Sequence, residues 1–218
     1  MRRLGFLAGA LAIGCASHTA APAARPAAPL APAGPVAGTE ADEYTRYELL
    51  APETAQFHIL YEVTAIAPGA TVFFNPIRRG SIASGERVTD RMTGEDLKFE
   101  IVSSHEASRT GLSDAEPGTD YIRIHLPRPV PPDGGQVRLL IEKTYKDPKS
   151  YFSEANLIVF ERSLSIRRNG ILLPAGYELV SCNVPSQVLR EDGRILVSFL
   201  NAEPDEVPLI LKARRLPS

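Results

Sequence analysis

The feature that most constrains this chain is an alternation of apolar and polar residues with a period of two. In the first such run, Phe57, Ile59, Tyr61 and Val63 occupy every second position. Side chains of a β-strand point alternately to opposite faces of a sheet, so this spacing predicts strands with one buried face. Comparable runs follow at residues 97–101, 122–126, 137–141, 195–199 and 207–213.

Turn sequences rich in Pro, Gly, Asn and Asp separate these runs. They lie at Pro68-Gly69, Thr93-Gly94, Pro117-Gly118, 132–135, Asn169-Gly170, Ala175-Gly176 and Asp192-Gly193. No window of a dozen residues carries a helical period. We therefore expect an all-β fold, an antiparallel β-sandwich of roughly eight to ten strands over residues 43–218. Its predicted core residues are Phe57, Ile59, Leu97, Phe99, Ile124, Leu139, Ile195, Val197, Phe199 and Leu209.

The first fifteen residues indicate export. Arg2 and Arg3 precede an apolar run, Leu4 to Ile13, that is too short to span a bilayer. The run ends in small residues at Cys15 and resembles the lipobox of bacterial lipoproteins, which are cleaved before the cysteine and acylated on it. We expect residues 1–14 to be a lipoprotein signal peptide and Cys15 to be lipidated. The alternative is an ordinary secretory signal with an incidental Cys15.

A linker follows the predicted signal. Sixteen of the 27 residues from Ala16 to Asp42 are Ala or Pro, a composition without the apolar bulk for a core. We expect residues 15–42 to be a disordered linker between the membrane anchor and the β-domain. In bacterial lipoproteins, an aspartate directly after the lipidated cysteine is associated with retention in the inner membrane, and this chain has Ala16 at that position. The predicted location is therefore the bacterial cell envelope, on the periplasmic face of the outer membrane.

Charge and cysteine content exclude some partners and pairings. The formal net charge is −2, and −4 without Arg2 and Arg3, with no basic stripe to bind nucleic acid. Cys182 has no second cysteine to pair with if Cys15 is acylated. Because Val180, Cys182 and Val184 alternate, we expect Cys182 to be a small buried hydrophobic residue.

Three segments of the predicted sandwich resemble one family. They are Ile122–Leu126 with the polar turn 131–136 after it, Leu139–Tyr145, and Leu173–Ser181 with the sequence LPAGYELVS. Together they resemble the N-terminal β-domain of gluzincin aminopeptidases of the aminopeptidase N type, over about residues 47–215. The resemblance implies a stand-alone relative of that domain.

The catalytic motifs of that family are missing. Its zinc site is H-E-x-x-H on a helix, whereas His105-Glu106 is followed by Ala, Ser and Arg. Its Gly-Ala-Met-Glu-Asn substrate motif is also absent. No catalytic residue is therefore carried over, and we expect neither a metal site nor a cofactor.

Three aromatic residues are the candidates for a partner contact. Tyr145, Tyr151 and Phe152 flank the polar turn 146–150, and aromatic side chains on loops are common in recognition. The alternative is that they cap one end of the sandwich. The leading hypothesis is a non-catalytic envelope lipoprotein whose β-sandwich binds or scaffolds a partner, such as another envelope protein. The second hypothesis is an extracytoplasmic hydrolase whose dispersed site is assembled by folding.

Overall fold

The computed structural model describes residues 40–202 and 205–217, with side chains from residue 42 onward. These residues belong to one compact unit, Ala37–Ser218. The predicted signal peptide, Cys15 and the linker as far as residue 39 lie outside the described residues. The first strand begins at Glu40, ahead of the predicted start of the β-domain. Within the described ranges, no helix is long and apolar enough to cross a membrane.

The fold is all-β, as the sequence predicts, but the described residues form fourteen strands, which is more than expected. One α-helix, α1 (Ser104–Arg109), and a 3-10 turn at Pro52–Thr54 accompany them. The strands are β1 (Glu40–Leu49), β2 (Gln56–Ala65), β3 (Val72–Pro76), β4 (Ile82–Asp90), β5 (Phe99–Ser103), β6 (Asp120–His125), β7 (Val137–Lys146), β8 (Tyr151–Glu154), β9 (Leu157–Leu164), β10 (Arg168–Leu172), β11 (Tyr177–Cys182), β12 (Gln187–Glu191), β13 (Arg194–Leu200) and β14 (Val207–Arg215).

Three sheets make up the domain. The seven-stranded sheet has the order β12-β13-β10-β1-β2-β7-β4, the four-stranded sheet β11-β14-β9-β8, and the three-stranded sheet β3-β6-β5. Paired strands are antiparallel with one exception in the described chain, the parallel pair β1 and β10, in which Tyr44 lies opposite Arg168. The predicted antiparallel sandwich is therefore confirmed, with a parallel pair inside its largest sheet.

One hydrophobic core draws side chains from all three sheets. Phe57 of β2 packs edge-on against Phe160 of β9, with ring centroids 5.3 Å apart, and so joins the two larger sheets. Seven predicted core residues are buried: Phe57, Ile59, Ile124, Leu139, Val197, Phe199 and Leu209. The other three, Leu97, Phe99 and Ile195, are partly buried and pack against the same core. Lys98 and Glu100 are exposed, as the alternation requires.

Two local predictions are wrong. Asn169-Gly170 is not a turn but the middle of β10, where Gly170 lacks the positive φ of a turn glycine. Val180 is 47% exposed, although its spacing from Cys182 predicts the same face. A β-bulge between Leu179 and Ser181 shifts the alternation by one residue, and Leu179 packs on the core instead. Cys182 itself is partly buried against that core.

Candidate functional site

A cleft of about 690 Å³ is formed by side chains from all three sheets. Its apolar lining includes Tyr47 and Ile59 of the seven-stranded sheet and Leu164 of the four-stranded sheet. Four cationic side chains also line it, namely Arg78, Arg79, Lys143 and Arg162, together with three carboxylates, those of Glu43, Glu116 and Glu206. A concave surface that combines apolar side chains with convergent charged groups can hold a ligand.

Lys143 lies in the cleft because it occupies an inward position of β7. Every second residue of this strand is buried from Val137 to Tyr145, and Lys143 interrupts that row. The residue is only 4% exposed. Its Nζ donates hydrogen bonds to Asn75 Oδ1 (2.5 Å) and to the carbonyl oxygen of Pro76 (3.3 Å). Both acceptors belong to β3, so this amine links the seven-stranded and three-stranded sheets.

The charge of Lys143 is poorly compensated. Its hydrogen-bond acceptors are neutral, and no carboxylate of the described residues lies within 4.0 Å of Nζ. Burial, together with the charge of Arg162, lowers the pKa of Lys143 to about 7, against an opposing effect of Glu86. An ammonium removed from water without a counter-charge is costly, which is the physical reason for this pKa.

Arg162 is the second buried cation, and it is paired. It takes an inward position of β9 between Phe160 and Leu164. Its Nη1 lies 3.3 Å from Asp147 Oδ2. The guanidinium carbon lies 5.4 to 5.8 Å from the ring centroids of Tyr47, Phe57 and Tyr145. This cation–π packing and the ion pair fix Arg162 as part of the core, whereas Lys143 keeps an unbalanced charge.

Arg78 and Arg79 are exposed cations on the segment after β3. The backbone N–H of Arg78 donates to Tyr145 Oη (3.0 Å), and its Nη1 donates to the carbonyl oxygen of Ser163 (3.1 Å). Arg79 pairs with Glu116, with Nη2 and Oε1 3.4 Å apart. The guanidinium of Arg78 is therefore the second cation of the cleft without a carboxylate partner among the described side chains.

The predicted site residues lie elsewhere or are buried. Cys15 is outside the described residues. Tyr145 and Tyr151 are almost fully buried, and Tyr151 Oη donates to the carbonyl oxygen of Leu50 (2.9 Å). Only Phe152 keeps an accessible surface, at the half-buried level. Tyr145 also lines the cleft, and the partner contact of these three residues stays a prediction.

Sequence reasoning missed Lys143 and Arg162, although the sequence contained a signal for both. Each cation stands at an inward position of an alternating strand, Lys143 in LLIEKTY and Arg162 in IVFERSL. A charged side chain at an inward position of a strand must be paired with an opposite charge, lose its charge or take part in binding, because burial of an unpaired charge is costly. Within residues 40–202 and 205–217, no three of His, Cys, Asp and Glu lie close enough to hold a metal ion.

The comparisons with known proteins concern the fold. No protein-family model and no curated protein matches the sequence. An M1 zinc metallopeptidase from Deinococcus radiodurans is similar in structure, with 13% identity, a TM-score of 0.48, and coverage of 79% of this chain and 41% of that one. An aminopeptidase N family protein from Idiomarina loihiensis gives 8% identity, a TM-score of 0.46, and coverage of 78% and 29%. This chain thus spans less than half the length of either structure. The likeness is to one part of M1 aminopeptidase structures, as in the resemblance that the sequence predicts.

Proposed function

We propose that this chain is a non-catalytic lipoprotein of the bacterial cell envelope whose β-domain binds an organic anion in the cleft. The observation that carries this proposal is Lys143, a buried amine without a carboxylate partner among the described residues. An anion in the cleft would balance its charge in a region where water screens little. A neutral ligand would leave that charge uncompensated.

The lining of the cleft indicates what accompanies the anionic group. Ile59, Ile77, Leu164 and Ile166 supply apolar surface in the same cleft as Lys143. Burial of an apolar part of the ligand against these side chains contributes about 25 cal/mol per Å² of area removed from water. We therefore propose an organic acid with an apolar body rather than an inorganic anion.

The proposed location rests on the N-terminal sequence. Arg2, Arg3 and the short apolar run before Cys15 support export and lipidation. One acyl chain gives only marginal membrane binding, whereas several give durable anchoring. Lipoproteins with this type of signal carry several, so we propose a stable anchor in the periplasmic face of the outer membrane.

The competing hypothesis is an extracytoplasmic hydrolase with a dispersed site. Four serine and threonine hydroxyl groups line the cleft, those of Thr45, Thr119, Ser163 and Ser165. A hydroxyl nucleophile requires a general base within hydrogen-bonding reach. Lys143 is the cleft group with a pKa near neutrality, and its hydrogen bonds go to Asn75 and Pro76 instead. This geometry favours binding over hydrolysis.

The binding proposal is tested by thermal unfolding of the full chain carrying Cys15→Ser, with benzoate, citrate or phosphate replacing chloride at constant ionic strength. We expect benzoate to raise the unfolding midpoint. A ligand at one hundred times its Kd stabilises the folded state by about 2.7 kcal/mol. The rise should be absent in Lys143→Met.

Lys146→Met is the matched control, because Lys146 is exposed and lies three residues along the same strand. It should keep the full response to benzoate. An unchanged midpoint with every anion, or an equal rise in Lys143→Met, would refute anion binding in the cleft. Turnover of simple esters that Lys143→Met abolishes would favour the hydrolase instead.

The lipidation proposal has its own test. Cells expressing the wild-type chain are fed a clickable fatty acid, and we expect label on the protein and recovery in the outer-membrane fraction. Cys15→Ser should take up no label and leave the membrane fraction. An unlabelled wild-type protein would refute lipidation without bearing on the cleft.

A further inference from the structure

The hydrogen bonds that Lys143 Nζ makes to described residues are as many as a neutral amine can donate. A neutral amine has two N–H donors and one lone pair, whereas an ammonium has three donors and no lone pair. The described residues supply two acceptors, Asn75 Oδ1 and the carbonyl oxygen of Pro76. The two donors of a neutral amine are therefore satisfied, and its lone pair is left without a hydrogen-bond donor to accept.

Lys143 provides a lone pair, and the cleft provides the space for a molecule that reacts with it. Lys143 is among the residues that line the volume of about 690 Å³. Tyr145 lies beside it, with the ring centroid 5.1 Å from Nζ. Burial and the charge of Arg162 lower the pKa of Lys143 to about 7. The neutral amine is therefore far more populated at neutral pH than in an exposed lysine, whose pKa near 10.4 keeps it almost fully protonated.

We infer that Lys143 is a covalent binding site, at which the amine condenses reversibly with the aldehyde or ketone group of an organic acid. The inference deepens the proposed function, on which it rests for the anionic part of the ligand. Desolvated lysines beside a second cation are a recurrent source of amine nucleophiles in proteins. Here the second cation is Arg162, held in place by Asp147.

The reaction is balanced without any further reagent. The lone pair of Nζ attacks the carbonyl carbon, and the π electrons of the C=O bond move to its oxygen. One proton passes from nitrogen to that oxygen to give a carbinolamine. Loss of the hydroxyl group together with a second proton, as water, gives the imine. Amine and carbonyl compound thus yield imine and water, and hydrolysis reverses the step.

The exposed guanidinium of Arg78 supplies the partner for the carboxylate of such a ligand. Arg78 lines the same cleft, and its Nη1 donates to Ser163, which leaves other donors of the planar group available. Arginine is suited to two parallel hydrogen bonds to a carboxylate. The ligand class that fits both groups is an oxo acid.

The test is reductive trapping of the full chain carrying Cys15→Ser. The protein is treated briefly at pH 7 with glyoxylate and cyanoborohydride, and the carboxymethyl adduct on each of the five lysines is measured by peptide mass spectrometry. We expect the occupancy at Lys143 to exceed that of the exposed lysines by at least about tenfold, from the difference in pKa. Acetaldehyde lacks the carboxylate and serves as the comparison. The ratio of the labelling rate with glyoxylate to that with acetaldehyde should be higher at Lys143 than at Lys98, Lys146 or Lys149.

Two results separate this inference from the proposed function. Both combine the labelling with the benzoate-dependent rise of the unfolding midpoint in the wild-type protein. A wild-type protein that shows this rise but gains no preferential adduct at Lys143 would overturn the covalent site and leave anion binding intact. Preferential labelling of Lys143 without any stabilisation by anions would support the covalent site and overturn the proposed function. Because the decisive labelling uses the protein without a change in the cleft, failure of a variant to fold does not affect it.

Discussion

The hydroxyl group of Tyr44 lies over Gly170, only 2.8 Å from the position that a Cβ atom would occupy there. The two residues belong to the parallel pair β1 and β10. Leu196 Cδ1 lies 3.3 Å from the same position, so the space beside Gly170 is closed from two sides. The glycine in Asn169-Gly170 is therefore favoured by close packing and not by a turn.

Gly170→Ala should destabilise the domain by about 1 kcal/mol. Overpacking costs about 1–3 kcal/mol, and the lower backbone entropy of alanine in the unfolded chain offsets part of that loss. Tyr44→Phe removes the obstructing oxygen, so the double variant should recover most of the stability lost by Gly170→Ala. Urea unfolding of the two single variants and the double variant measures this coupling. Strictly additive effects would show that the hydroxyl is not the obstacle.

Phe57→Ala should reduce the free energy of unfolding by about 3–5 kcal/mol, the range for a large aromatic residue removed from a core. Phe57 is fully buried, and its ring lies within 6.0 Å, centroid to centroid, of Tyr47, Tyr145 and Phe160. Phe152→Ala is the comparison, because Phe152 is only half-buried and should lose clearly less. Denaturant unfolding measures both. A loss below about 1 kcal/mol at Phe57 would contradict its place at the centre of the core.

Asp147→Asn should cost about 3 kcal/mol, because it leaves the buried Arg162 without its counter-charge. Burial alone would raise the pKa of Asp147, but hydrogen bonds from Ser150 and Ser81 and the charge of Arg162 outweigh it and lower the pKa. Because the pKa is lower in the folded state, ionised Asp147 stabilises the protein fully at pH values above the unfolded pKa of 3.8. This stabilisation is lost as the pH falls through the folded-state pKa.

The difference in stability between the wild-type protein and Asp147→Asn should therefore be full at pH 6 and shrink below pH 3.8. Asp133→Asn, in an exposed turn, should show no comparable loss. Equal stability of the wild-type protein and Asp147→Asn at pH 6 would disprove the role given to the ion pair.

Lys143 should make stability increase with pH above neutrality. Its folded-state pKa of about 7 lies below its unfolded value of 10.5, so the unfolded chain binds more protons between these limits. The free energy of unfolding therefore rises through this window, by up to about 1.4 kcal/mol per pH unit. We expect the rise in the wild-type protein and in Lys146→Met, and not in Lys143→Met.

Unfolding in urea at pH 7, 8 and 9 measures this slope. The range stops at pH 9 because of three buried phenols. Burial raises the pKa of Tyr47, Tyr145 and Tyr151 in the folded protein, so near pH 10 these groups ionise first in the unfolded chain, which lowers the free energy of unfolding. A wild-type slope identical to that of Lys143→Met would show that Lys143 does not titrate near pH 7 in the folded protein.

The sequence predicts those parts of the fold in which one strand face is buried and the other is wet. β7 and β14 fit this description, and their alternation identifies both strands and their buried faces. β12 does not, because it is an edge strand with mostly exposed residues, and its letters QVLRE carry no period. β10 fails for the opposite reason, since four consecutive residues are buried and the pattern disappears.

The cleft could not be predicted from the sequence, for a different reason. Lys143 and Asn75 are 68 residues apart, and only the packing of β7 against β3 brings them together. The sequence shows only that a cationic residue stands at an inward position of a strand. It does not contain the acceptor that this cation meets, because that depends on how separate sheets are stacked.

The position of β1 determines how the domain would carry a mechanical load. β1 is hydrogen-bonded on one side to β2 and on the other to β10, and the chain that leads toward Cys15 leaves from its first residue. A pull from an anchored Cys15 would act along this interior strand, so it would have to slide β1 past two neighbours at once. The ladder bonds lie across the strands and would share such a force, whereas an edge strand such as β12 could be peeled away one bond at a time. A strand in the middle of the largest sheet thus resists detachment by shear.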